Sequence, residues 1–77
     1  MEFKLKSEFI ELDNLLKAQG LVACGAEARE CILAGSVKVN GEKEIRIRRK
    51  LRPGDTVEYK EHQIKICAEG YEESKNE

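Results

Sequence analysis

Between Lys43 and Arg52 the chain places Lys43, Arg46, Arg48, Arg49, Lys50 and Arg52 within ten residues, against the single acid Glu44. Guanidinium groups at close spacing suit one kind of chemistry above others. Their planar forks make bidentate, charge-assisted hydrogen bonds to phosphate or carboxylate oxygens. Six like charges also repel one another, at about 0.6 kcal/mol for each pair 7 Å apart in water before salt screening. A polyanion relieves that repulsion. A solvated strand face, cross-paired with acids such as Asp55 and Glu58, is the alternative use of the same residues.

The overall net charge of −1 hides the asymmetry. Residues 1–34 carry four cations and six anions, residues 35–52 seven and two, and residues 53–77 three and seven. The resulting charges are −2, +5 and −4, so a basic middle lies between two acidic flanks. Nothing assembles into a catalytic dyad. Cys24, Cys31 and Cys67 are widely spaced, and His62 is the lone histidine. Structural zinc would require paired ligand spacings, so the thiols read as small apolar core residues and neither metal nor cofactor is expected.

If the basic run is extended, alternate side chains share a face. Ile45, Ile47 and Leu51 then point inward, and Arg46, Arg48, Lys50 and Arg52 form a row of about 20 Å at roughly 3.3 Å per residue. Arg49 breaks the alternation. No aromatic residue is interleaved, whereas single-stranded nucleic acid is usually held by base stacking. Recognition of folded RNA by shape and backbone is the better match. Four phosphate contacts would cost on the order of 10² in affinity between 50 and 200 mM salt. Arg29 and Lys38, on flanking elements, are further candidate contacts. The start of the second helix favours anions, although Glu27 competes for its N–H groups.

The elements that must position these cations follow from periodicity. Glu2 to Lys6 alternates like a half-buried strand. Ser7 is placed to cap a first helix running from Glu8, with Phe9, Leu12, Leu15 and Leu16 on its apolar face and Gly20 ending it. A second helix runs from near Gly25 to Gly35, with Cys24, Ala28, Cys31 and Ile32 on one face. Ser36 to Val39 is a strand, Asn40-Gly41 a type I′ turn, and a strand returns from Glu42. Pro53-Gly54 fits a type II turn. A hairpin then joins Thr56–Tyr59 and Gln63–Ile66 around Glu61-His62. This is an α+β order with two helices on a small, largely antiparallel sheet. Length predicts one domain, residues 1–68, and a flexible acidic tail at 69–77. No apolar run nears the roughly 20 residues that span a bilayer, and no secretory leader is evident. A cytoplasmic monomer is expected.

These segments together resemble a known family. Glu11 to Lys17, Cys24 to Arg29, Ile32 to Gly35, Val37-Lys-Val-Asn-Gly41 and Pro53-Gly-Asp-Thr-Val57 look like an S4-type RNA-binding domain across residues 8–67. The narrower likeness is to small bacterial proteins containing little besides this domain, without the pseudouridine synthases or tyrosyl-tRNA synthetases it often accompanies. The resemblance implies an αL-type fold, two helices on a bent antiparallel sheet. It also implies binding of rRNA or tRNA-like structures, in ribosome assembly, quality control or translation. The implied RNA surface is the second helix and the two following strands: Arg29, Lys38, Lys43, Arg46, Arg48, Arg49, Lys50 and Arg52. Many members carry Ser-Arg at the start of that helix, where this chain has Cys24-Gly25. A protein-interaction adaptor, docking an acidic partner on the basic strand, is the competing expectation. A small enzyme or sulfur carrier has less support, since the chain ends Lys75-Asn76-Glu77 rather than in Gly-Gly.

Overall fold

The computed structural model describes residues 1–68; the acidic tail expected at 69–77 lies outside the described residues. The elements are β1 (Glu2–Leu5), β2 (Ile10–Glu11), α1 (Leu12–Ala18), α2 (Gly25–Leu33), β3 (Val37–Val39), β4 (Glu42–Lys43), β5 (Lys50–Leu51), β6 (Thr56–Tyr59) and β7 (His62–Ala68). A five-stranded sheet has the order β1-β7-β6-β3-β4, and β2 and β5 form a separate two-stranded ribbon. Only the β1–β7 pair is parallel; the others are antiparallel. The fold class is therefore the expected α+β arrangement, with a mixed sheet.

The core joins both layers. Leu12, Leu15 and Leu16 of α1 and Ala28 and Ile32 of α2 meet Val37, Val57, Ile64 and Ile66 of the large sheet, all fully buried or nearly so. Across α2 and β6, Cys31 Sγ lies 3.1 Å from the hydroxyl of buried Tyr59. That contact, followed by burial, raises the phenol's pKa above its ordinary value. Cys31 and Cys67 are half-buried, but Cys24 is exposed, contrary to the expectation of a buried thiol. Cys24 is the N-cap of α2, with extended backbone, and lies outside the helical stripe that packs inward.

The first helix departs from its expected start. Ser7 does not cap it; its hydroxyl donates to the Phe9 carbonyl (2.9 Å) within a local turn. Ile10 and Glu11 are taken instead by antiparallel pairing with Leu51 and Lys50, so the helix begins only at Leu12. The last hairpin shifts by one residue. Tyr59 pairs with His62, and Lys60-Glu61 forms the turn, with Lys60 at φ 57°.

The expected turns at Asn40-Gly41 and Pro53-Gly54 are present. Asn40 and Gly41 have φ of 54° and 88°, both in the range a type I′ turn requires. Gly54 (φ 101°) sits in a turn closed by the bond from Asp55 N–H to the Arg52 carbonyl (3.0 Å). Asn40 also ties its turn to the edge of β6. Its side chain accepts from Thr56 N–H (3.0 Å) and donates to Asp55 (3.1 Å), while its own N–H donates to the Thr56 carbonyl (2.7 Å). Gly41→Val forces a β-branched residue into this left-handed geometry, with an expected cost of about 1–2 kcal/mol. Thermal denaturation should show a lowered midpoint; an unchanged one would mean that the turn tolerates rearrangement.

Candidate nucleic-acid interface

The basic run is not a strand. After β4 ends at Lys43, the chain turns inward at Glu44 and stays irregular until the two residues of β5. Glu44 is 8% exposed and is the one buried charged residue among those described. Its carboxylate gathers the loop. Arg46 donates through Nε (2.9 Å), Nη2 (3.2 Å) and its backbone N–H (3.1 Å), and Arg49 donates through Nη1 (2.8 Å). The Arg46 side-chain bonds lower the Glu44 pKa most. Burial opposes them, and the Arg46 N–H and the Arg49 guanidinium add to them; the result falls from the ordinary 4.5 to about 2.

The loop's backbone serves a second purpose. A turn closes from Arg49 N–H to the Arg46 carbonyl (3.3 Å). From that turn, the carbonyls of Arg49 and Ile47 accept the first N–H groups of α1, from Leu12 (2.9 Å) and Asp13 (3.1 Å). Helix starts leave such donors unsatisfied, and no side chain caps this one. The loop is thus fixed at Glu44, at the α1 start and at β5.

These ties overturn the expected row of Arg46, Arg48, Lys50 and Arg52 opposite inward-facing isoleucines. Ile45 is 61% exposed, Ile47 is half-buried against the core, and only Leu51 is fully buried. In place of a row, Arg46, Arg48, Arg49 and Lys50 line an open recess of about 600 Å³. Arg49, expected to break the alternation, lines the recess with the others. The alternative pairing with the next strand is not formed either. Asp55 accepts from the Arg52 backbone N–H (2.9 Å) and from Asn40, and Glu58 accepts from Gln63 (3.4 Å). Among the described residues the only ion pairs are those of Glu44 with Arg46 and Arg49.

The remaining candidates lie around the recess rather than in it. Lys38 and Lys43 are exposed register partners on β3 and β4, two cations abreast, and Lys43's side chain lies over Gly35 (3.6 Å from the position a Cβ would take). Like charges directly opposite are unfavourable in a sheet; on its other side Lys38 faces Glu58 of β6, which offsets part of that repulsion. Arg29 is exposed on α2. Arg52 lies beside Lys50, and both sit over the ring of Phe9, at 5.9 and 4.9 Å from its centroid. At the start of α2, Glu27 does not occupy the helix N–H groups as expected. It reaches back to the N–H of Ala23 (2.8 Å), and Lys17 Nζ lies near Gly25 (3.8 Å from the position a Cβ would take).

Three of these features are not legible in the sequence alone. Glu44 stands out there only as the lone acid in a basic run, Lys17 only as a residue near the end of α1, and Phe9 falls on the expected apolar face of the first helix. The isolated acid is the one available signal for the clamp.

A model of the S4 domain family matches residues 3–67. The chain belongs to the S4 domain family. It is 40% identical over 63 residues to YbcJ of Escherichia coli (strain K12), covering 82% of this chain and 90% of that protein. YbcJ of Shigella flexneri matches to the same extent. The solution structure of E. coli YbcJ, which revealed an αL motif involved in RNA binding, superposes with a TM-score of 0.68, covering 87% of this chain and 86% of that one. The fold of the S4-domain chain is accordingly the αL type.

Because its folded pKa is depressed, Glu44 contributes stability that is complete above pH 4.5 and is lost as pH falls toward about 2. Denaturant midpoints measured across that window should drop more steeply for the wild type than for Glu44→Gln, which cannot titrate. Parallel curves would show that the clamp is not coupled to folding.

Proposed function

We propose that this chain binds structured RNA, ribosomal or tRNA-like, through its phosphate backbone, in ribosome assembly, ribosome quality control or translation in the cytoplasm. The observation that carries the proposal is the convergence of Arg46, Arg48, Arg49 and Lys50 on one open recess. The acid that holds two of them leaves Arg48 and Lys50 outside any ion pair among the described residues. Four cations around one concavity match the charge density of a folded RNA backbone, where phosphates from different segments crowd together. Arg52, the Lys38–Lys43 pair and Arg29 extend the positive surface, and Lys17 supplies charge at the start of α2. YbcJ's αL motif, involved in RNA binding, supports the same direction.

A protein adaptor is the second reading, favoured by one observation: Ile45 is 61% exposed within the basic loop. An apolar side chain between arginines suits an amphipathic acidic partner as well as a nucleic acid. Salt dependence and RNA content separate the two.

Replacing Arg48, Lys50 and Arg52 by Ala leaves Glu44 and both its partners intact. At 50 mM salt the triple variant should bind a folded RNA more than ~10-fold more weakly. Its log-affinity against log-salt slope should shrink by roughly 0.7–0.9 for each phosphate no longer neutralised. A folded variant with unchanged affinity and slope would remove this surface from the site.

A further inference from the structure

Phe9 occupies a position that core packing does not explain. Continuing the β2–β5 register, in which Ile10 faces Leu51 and Glu11 faces Lys50, sets Phe9 beside Arg52. Alternation along both strands sends Ile10 and Leu51 toward the core. Phe9, Glu11, Lys50 and Arg52 fall on the opposite face of the ribbon. Phe9 is half-buried and, unlike Phe3 and Ile10, is not packed against the core. The ring's cover comes instead from Lys50 Nζ at 4.9 Å and the Arg52 guanidinium carbon at 5.9 Å from its centroid. Both cations are exposed, and neither is ion-paired with a carboxylate among the described residues.

Lys50 links this ring to the recess, since it also lines it. An aromatic face and a cationic concavity therefore share one side chain. Resting a cation on an aromatic face is a modest interaction at an exposed site. Either cation can leave the ring for a phosphate when a flat group takes its place.

We propose that Phe9 is a stacking platform for an unpaired nucleobase belonging to the RNA whose phosphates occupy the recess. The inference rests on the RNA-binding function proposed above and narrows its ligand. The preferred RNA is a helix bordered by unpaired nucleotides, such as a loop, bulge or overhang, rather than an uninterrupted duplex. Stacking on Phe9 reads the exposure of a base and not its identity, because every base presents a π-face. The Lys50 and Arg52 side chains cover the ring in the free protein and turn to the backbone when the base arrives.

Two RNA hairpins with one stem, one blunt and one carrying a three-nucleotide single-stranded overhang, test the proposal directly. The wild type should bind the overhang RNA about tenfold more tightly than the blunt one. Phe9→Leu should bind the two hairpins with equal affinity. The natural chain has no tryptophan, so Phe9→Trp places the only indole at the platform. Its fluorescence should be quenched by the overhang RNA and not by the blunt one. Equal wild-type affinity for the two hairpins, or a preference that survives in Phe9→Leu, overturns the platform while leaving RNA binding standing. Failure of the folded wild type to bind either hairpin overturns RNA binding and the platform together.

Discussion

A single buried carboxylate determines the shape of the basic surface. Six cations in ten residues would, left to themselves, spread apart to reduce their repulsion, and an extended strand is the conformation that separates them most. Glu44 prevents this by turning inward and holding Arg46 on both carboxylate oxygens, through its side chain and its backbone N–H, while Arg49 shares Oε1. Such a carboxylate tolerates burial only because its charge is met by several donors. Every one of those donors comes from the loop that it folds. The acid therefore concentrates positive charge by neutralising a part of it, leaving Arg48 and Lys50 to complete the recess.

The same loop supports the helical layer. Its carbonyls at Ile47 and Arg49 receive the opening N–H groups of α1, while Leu51 enters the core and pairs with Ile10. Misplacing the loop would leave helix donors unsatisfied and expose a fully buried leucine. The cationic surface is thereby tied to the hydrophobic core by backbone bonds that do not depend on the basic side chains. Arg48 and Arg52 take no part in the Glu44 clamp, whereas Arg46 and Arg49 hold the acid that folds the loop.

Elements set by local rules were legible in the sequence. The Asn40-Gly41 and Pro53-Gly54 turns, the α2 start near Gly25 and the alternation of β3 depend on neighbours a few residues apart, and all are found where expected. The residues of the basic surface were also legible, because composition alone marks them. Their geometry was not. Whether Ile45 faces in or out depends on Glu44 finding a buried site beside β3, which alternation cannot anticipate. The start of α1 differs from expectation for a related reason: Ile10 and Glu11 fit a helical stripe equally well until β5, far along the chain, claims them for a ribbon. Phe9 goes with them, since its aromatic face acquires meaning only once Lys50 and Arg52 are brought across to it.

The arrangement separates two properties that an unstructured basic run would merge. A flexible row of arginines would neutralise any polyanion, with an affinity set by charge count and salt. Here the clamp limits the ways in which the cations can be presented to a polyanion. Conformational entropy strengthens the effect: a loop already ordered by Glu44 and α1 loses little freedom on binding. At the start of α2 the chain has Cys24-Gly25, with Lys17 nearby and Glu27 turned back toward Ala23. Positive charge at that end comes from a lysine on the neighbouring helix. The recess, by contrast, is held in place by four bonds to Glu44.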